Sequence, residues 1–304
     1  MQFEREYIVL FNTLQIRYYG IIIVVAMLVA ANVAARLARR DGRDPEHIWG
    51  ALTWAIIPAI IGARLWFVLL PPATLVQQGL DTAWFFQNFF NLENGAIAIW
   101  SGGLSIFGAV LGGFLGAYIY MRRNNLPLAP WLDIAGIGLP LGQAIGRWAN
   151  FINQELYGIP TTLPWGITID PANRIAPYRS LVEYPLETGF HPLFLYESLW
   201  SLLAFIVLFN LFLRYRSRLH AGDFFLIYLA QYAFIRFLLE AIRVEITYIP
   251  GTEINASQAF MALVFVLAVG LLAYRHRPGT VVGSRPADPE PKPKSKPALE
   301  PPNN

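Results

Sequence analysis

The sequence predicts an all-α polytopic membrane protein with about seven transmembrane helices, its N-terminus outside, a small extracytoplasmic head and an interfacial arm. Three observations carry this. The 304 residues are 55% hydrophobic and only 14% charged, with a mean hydropathy of +0.43, whereas soluble domains carry about 25% charged residues. Apolar runs lie near 16–36, 48–70, 97–120, 130–149, 194–213, 223–243 and 255–274, and seven spans of ~20 residues would occupy ~140 residues. Basic residues collect in every second connection. Such an apolar surplus excludes a disordered chain, a disulfide scaffold and an ordinary cytosolic enzyme.

The elements follow in chain order. The opening MQFEREYIVLFN mixes both signs of charge and leads to no small-residue cleavage site, so no cleavable signal peptide is expected. Arg36, Arg39, Arg40 and Arg43 follow the first run, and Arg122 and Arg123 the third. Arg214, Arg216 and Arg218 follow the fifth, and Arg275 and Arg277 the seventh. The alternate connections, 71–96, 150–193 and 244–254, are much poorer in Lys and Arg. The bias of basic loops toward the cytoplasm then puts the N-terminus outside and the C-terminus inside. Segment 72–96 sets Trp84, Phe85, Phe86, Phe89 and Phe90 beside Gln87, Asn88 and Asn91, which reads as an amphipathic arm at the outer interface. Segment 150–193 is rich in Pro, Gly and Tyr, with strand-like pieces such as 165–169, and reads as a folded head. From Pro278 the chain is rich in Pro, Lys and Glu and is expected to be disordered. The expected division is therefore a membrane body at 1–149, a head at 150–193, a second membrane segment at 194–277 and a cytoplasmic tail at 278–304.

Composition also bounds the chemistry. The chain has no cysteine, so disulfides, thiolate metal sites and a cysteine nucleophile are excluded, and any reacting thiol has to come from a substrate. His47, His191, His220 and His276 do not form a spaced metal cluster; no metal and no cofactor is expected. The net charge is +3, and the basic residues flank apolar runs instead of forming a stripe, so nucleic-acid binding is not expected. No internal repeat is visible, which argues against an inverted-repeat transporter.

Ionisable residues inside apolar runs are the first place to seek function, because an Arg at a helix centre costs roughly 2.5–3.5 kcal/mol on insertion scales. Arg64, Arg147, Arg236, Glu240, Arg243 and Glu197 all sit in or at the edge of such runs. Tyr232, Arg236, Glu240 and Arg243 lie at i, i+4, i+8 and i+11, which makes one polar stripe on a helix. The plainer reading of Glu240 and Arg243 is an internal ion pair. For Arg236, with Tyr232 one turn away, anion binding is favoured, because a guanidinium fork matches a phosphate. A second polar knot, Gly146–Gly158, holds Arg147, Asn150, Asn153 and Glu155 where the fourth run meets the head. Snorkelling and helix-end capping account for one of these residues but not for all four. Trp100–Gly113 opens the third run; most of its glycines suit close helix packing, and Gly102 and Gly103 suit backbone approach to a lipid head group. His191 reads either as a structural hydrogen-bonder or as a base near the outer interface.

These residues carry a resemblance. Gly146–Gly158 resembles the signature G-R-x-G-N-F-x-N-x-E-x-x-G of the prolipoprotein diacylglyceryl transferase family, departing only at Ala149. Arg17–Gly20, Gly62–Arg64, Trp100–Gly103, His191–Glu197 and Arg236–Arg243 are similar to further motifs of that family, in the same order. The resemblance implies a seven-span plan in the bacterial inner membrane. It also implies transfer of the diacylglyceryl group of phosphatidylglycerol to the lipobox cysteine of a prolipoprotein signal peptide, forming a thioether and releasing glycerol 1-phosphate. It points to Arg147 and Arg236 as the groups facing the phosphate. Glu155 or Glu240 would accept the thiol proton or position an arginine. Tyr19 and Asn150 would orient the glycerol head, with Asn153, Gly102, Gly103, Gly158, Tyr232, Arg243 and His191 as further substrate-binding positions. One departure stands out: many members read S-F-H-G-G where this chain has Ser105-Ile106-Phe107-Gly108-Ala109. Phe107 removes a histidine base there, so deprotonation is expected elsewhere. The competing classes are a small-anion transporter, which also uses intramembrane arginines, and a catalytically inactive lipoprotein-binding relative.

Overall fold

The computed structural model describes residues 2–3, 7–10, 14–76, 78–249, 251–283 and 285–289. Three short antiparallel strands open the chain, β1 (Gln2–Phe3), β2 (Tyr7–Leu10) and β3 (Leu14–Arg17), paired in sequence order. The helices are α1 (Tyr18–Arg40), α2 (Glu46–Leu69), the short α3 (Ala73–Val76) and α4 (Thr82–Gln87), α5 (Ile106–Arg123) and α6 (Leu128–Asn153). After β4 (Ile167–Thr168) and β5 (Gly189–Phe190) come α7 (Leu193–Tyr215), α8 (Asp223–Glu240) and α9 (Ala256–Arg275). Five of the described helices, α1, α2, α6, α7 and α9, are long and apolar enough to cross a membrane. The molecule is thus a mostly helical polytopic membrane protein. The helix α8 falls short of that apolarity because Asp223, Arg236 and Glu240 lie within its eighteen residues, and α5 because it is only eighteen residues long and ends in Arg122 and Arg123.

Three element boundaries differ from the sequence expectation. The first helix starts at Tyr18, because Leu14–Arg17 pairs with β2 instead of extending it. The third starts at Ile106 and not near 97: residues 99–101 form a single 3₁₀ turn, and Gly102 and Gly103 take φ of 91° and 66°, a left-handed backbone that no helix continues. The sixth ends at Glu240, so Arg243 lies beyond it, in an isolated bridge with Gly158. The basic ends that were expected to follow the runs are partly inside the helices: Arg39 and Arg40 close α1, Arg122 and Arg123 close α5, and Arg275 closes α9. Cations there complement the negative end of the helix dipole.

The chain divides into two compact units. The larger comprises Met1–Thr53 and Leu128–Arg285. In it α6 packs against α1, α7 and α8, and α8 against α9. The α1–α6 contact uses small residues: Gly138 and Gly142 lie against Ala26, Ala30 and Ala34, which lets two apolar helices approach without a large side chain between them. The connection between α6 and α7 folds onto its own core of Tyr157, Ile169 and Phe190. The strand-like piece expected at 165–169 is the two-residue β4, paired with β5. Arg174 is fully buried there and donates to four backbone carbonyls, those of Ile169, Tyr184, Pro185 and Leu186, at 2.6–3.2 Å. Near the end of the described chain Arg285 reaches Asp133 on α6 at 2.6 Å. Ser284, and residues 290–304 with Lys292, Lys294 and Lys296, lie outside the described residues.

The smaller unit is built on residues 54–127. Gly108, Gly112 and Gly116 on α5 meet the backbone of Gly62, Pro58 and Trp54 on α2, the close packing expected of these glycines. In the arm Phe85 is buried with Val68 and Ala96, whereas Phe86 and Phe90 are exposed.

Candidate active site

Arg147 stands in the last two turns of α6, Glu197 in the second turn of α7, and Arg236 and Glu240 in the last two turns of α8. The packing of α7 and α8 on α6 brings these turns together. Glu197 is the hub. One of its oxygens accepts from Arg147 Nη2, and the other accepts from Arg236 Nη1 at 3.1 Å. Arg236 Nη2 donates to Glu240 Oε2 at 2.9 Å, and Arg243 Nη1 lies 3.5 Å from the same oxygen. Arg147 Nη1 donates to Asn150 Oδ1 at 3.1 Å, while Asn150 Nδ2 donates to Glu155 Oε1 at 2.6 Å. The Tyr232 hydroxyl also meets the Arg147 guanidinium.

Glu197 and Glu240 are 2% and 1% exposed, respectively. Buried carboxylates are tolerated only when paired and hydrogen-bonded, and each of these two meets two guanidinium groups. Three arginines therefore face two buried carboxylates, and two further carboxylates stand at the exposed side. Glu155 sits at the exposed edge, and Glu245, which meets Arg243 at 3.4 Å, is exposed as well. A small cleft opens at this point, lined by Arg147, Asn150, Glu197, Arg236 and Arg243, with Leu156, Leu193 and Phe194 as apolar wall. Arg243 keeps a buried Nε–H with no hydrogen-bond partner among the described residues. A guanidinium carries five donors, so the carboxylates fix the forks and leave N–H groups over. The result is a small preorganised cleft with three guanidinium groups on one side and an apolar wall on the other, which favours an anionic oxygen.

The turn after α6 shapes the cleft edge. Gln154 and Leu156 take φ of 52° and 56°, and Glu155 N donates to Asn150 O at 3.1 Å, which folds the chain back so that Glu155 meets Asn150. Gln154 is buried and accepts from Asp170 N and Asn173 Nδ2, tying this turn to the head. Tyr157 accepts from Ile175 N at 2.8 Å, and burial raises its phenol above the ordinary value, so it stays neutral.

The expected site residues fall into three groups. Arg147, Arg236, Glu155, Glu240, Asn150, Tyr232 and Arg243 form one network, and Tyr19 on α1 lies within electrostatic reach of Arg147 and Glu155. Gly158 and His191 build its wall. Gly158 N donates to His191 O at 2.9 Å, and a Cβ on Gly158 would come within 2.8 Å of both His191 Cβ and Ile242 O, so a side chain there has no room. The His191 imidazole meets the Tyr196 hydroxyl at 3.1 Å. Asn153 takes no part in the network among the described residues. Gly102 and Gly103 belong to the smaller unit, where their carbonyls accept from Arg64 Nη1 at 2.7 and 3.2 Å. Arg64 also donates to Ala96 O and Gly95 O at 2.8 and 2.5 Å. Phe107 is in that unit too, exposed, with its ring against Trp66. The residue that sequence reasoning left without a role is Glu197; its signal was an acid inside the apolar run HPLFLYESLW.

The comparisons with known proteins agree with one another. The family model described as prolipoprotein diacylglyceryl transferase matches residues 6–274. A protein of Chloroflexus aggregans named phosphatidylglycerol–prolipoprotein diacylglyceryl transferase is 37% identical over 275 residues, covering 86% of each chain. Proteins of the same name from Trichormus variabilis and Frankia alni are 36% and 38% identical, covering 90% and 93% of this chain and 92% and 67% of their own. With the match running through all seven long helices and the arginine-lined cleft, the chain belongs to the prolipoprotein diacylglyceryl transferase family.

Proposed function

We propose that this chain is a phosphatidylglycerol–prolipoprotein diacylglyceryl transferase of the bacterial inner membrane. It moves the diacylglyceryl group of phosphatidylglycerol to the lipobox cysteine thiol of a prolipoprotein. The cysteine sulfur attacks the glycerol carbon that carries the phosphate. That C–O bond breaks with its electron pair going to the phosphate oxygen, a C–S thioether forms, glycerol 1-phosphate leaves, and the thiol proton passes to a base. Negative charge therefore grows on the leaving phosphate, and preorganised cations are what such a step needs. The observation that carries the reading is the cleft whose lining sets three arginines, Arg147, Arg236 and Arg243, around one carboxylate, Glu197. Arg147 and Arg236 bind the phosphate, and Tyr19 and Asn150 orient the glycerol head. Glu240 is fully buried and engaged by two arginines, so it acts as a positioning carboxylate. Glu155 is at the exposed edge and accepts, among the described residues, a single hydrogen bond, from Asn150, which favours it as the proton acceptor.

All seven long helices are proposed as spans, with the N-terminus and the head at 150–193 outside, where exported prolipoproteins arrive, and the tail from 278 in the cytoplasm. The arrangement rests on the arginines that gather at alternate connections. The deciding experiment is complementation of a bacterium depleted of its own transferase, paired with transfer to a lipobox peptide by the purified chain. Growth and a lipid-modified peptide are expected. Neither would be seen from a small-anion transporter or an inactive relative.

A further inference from the structure

Below the arginine cluster the polar character of the two facing helices does not stop. Gln143 on α6 lies one turn before Arg147, and Tyr228 on α8 lies one turn before Tyr232, at the i, i+4 spacing that keeps each pair on one face. The two deeper residues meet: Gln143 Nε2 donates to the Tyr228 hydroxyl at 3.0 Å. Tyr228 also stacks on Tyr232, with ring centroids 6.1 Å apart and planes at 16°. Two rungs result, Gln143 with Tyr228 and Arg147 with Tyr232, the first further from the head.

The deeper rung is incompletely satisfied. Tyr228 is buried, and Gln143 Oε1 is buried with no hydrogen-bond partner among the described residues. If Gln143 donates to the hydroxyl, its Oε1 is left as an acceptor without a donor, beside the phenolic proton and one amide N–H. If the amide is turned so that the hydroxyl donates to it, both amide N–H groups remain. The second arrangement meets Oε1 and leaves the spare groups of the pair as donors, at a depth where an unmet polar group is costly. A ligand that supplies acceptors and no donors fits this rung, and an acyl ester is such a group. The spacing agrees. One helical turn is about 5.4 Å, comparable to the separation of a glycerophospholipid's phosphate from its nearer ester across one or two glycerol carbons.

We infer that Gln143 and Tyr228 form an acyl-ester subsite, which holds an ester carbonyl of the lipid while its phosphate lies against Arg147 and Arg236. The inference rests on the transferase reading above. The subsite fixes the retained half of the lipid, so that the glycerol carbon under attack is held from both sides, by the phosphate it carries and by the ester on the neighbouring carbon. That is positioning of a reacting atom by remote binding groups.

The test uses the full chain in mixed micelles with two probes, ester-linked phosphatidylglycerol and its dialkyl ether analogue, which lacks the carbonyls. Lipid retention is read by native mass spectrometry, and transfer by modification of a lipobox peptide. The parent should retain the ester lipid more tightly by roughly five- to tenfold, the worth of about one hydrogen bond. In Tyr228→Phe and in Gln143→Leu, which change volume little, that preference should fall below roughly twofold. The second variant serves if the first does not fold. Equal retention of both lipids by the parent, a preference that survives in both variants, or a loss that falls equally on the two lipids would overturn the subsite. A parent that prefers the ester lipid but never modifies the peptide would retain the subsite and remove the transferase reading. Transfer without any ester preference would do the reverse.

Discussion

Glu197 explains why two arginines tolerate one another inside a bundle. Its two oxygens face Arg147 and Arg236 separately, so each guanidinium is oriented by a fixed partner and keeps other N–H groups for a substrate anion. An ammonium has neither the planar fork nor the reach to make both contacts. Arg147→Lys and Arg236→Lys should therefore lower transfer to a lipobox peptide by ~100-fold or more, nearly as far as the alanine variants. Full turnover in both lysine variants would remove the bidentate argument. Glu155, at the exposed edge, and Glu240, fully buried, separate by their surroundings. Glu155→Gln should reduce turnover by roughly 100-fold and flatten its dependence on pH, as loss of a general base does. Glu240→Gln should instead lower thermal stability along with turnover, since it weakens a buried carboxylate shared by Arg236 and Arg243. Equal behaviour of the two variants in both assays would count against the assignment.

At the scale of elements, arginines act as staples where the chain has no regular structure. Arg64 projects from α2 and binds the carbonyls of Gly95, Ala96, Gly102 and Gly103, so one side chain closes the connection between α4 and α5. Arg174 does the same inside the head, with its guanidinium over the Phe190 ring at 5.2 Å. Turns need their carbonyls satisfied when buried, and a five-donor fork satisfies several at once. Arg64→Met keeps the apolar stem and removes those bonds. Amide hydrogen exchange across residues 95–103 should then accelerate by at least ~tenfold, the loss of more than one hydrogen bond's worth of protection. Unaltered exchange there would mean that the loop is held by the packing of Phe85 with Val68 and Ala96 alone.

For the molecule as a whole, the expected orientation is open to a clean experiment, because the parent has no cysteine. Thr162 lies exposed in the head, and Ser217 lies exposed in the 3₁₀ turn after α7. Thr162→Cys should react with a membrane-impermeant maleimide in intact cells, and Ser217→Cys only after lysis. The opposite labelling would invert the protein and close the proposed route of an exported lipobox cysteine to Arg147. The head is also joined to the cleft through backbone: Gly158 bridges Arg243, and Ile159 N donates to Ile242 O at 2.9 Å. The segment that follows α6 and the one that follows α8 therefore hold each other, which keeps Arg243 at the cleft after its helix has ended.

Hydropathy by itself determined that the chain is a polytopic helical membrane protein, since backbone in lipid has to satisfy its own hydrogen bonds and apolar runs of that length have few other solutions. Local sequence also sufficed for Arg147, Asn150 and Glu155, which are near neighbours on one turn and its exit. It did not suffice where a boundary depends on something distant. The stop of α8 before Arg243 follows from the bridge to Gly158, and the loop at 99–105 follows from Arg64 taking its carbonyls. Tertiary structure alone decided the role of Glu197. In the sequence it is a single acid in an apolar run, fifty residues from Arg147 and thirty-nine from Arg236. A buried charge is stable only against its partners, and which partners α7 meets is settled by the packing of α6 and α8 around it.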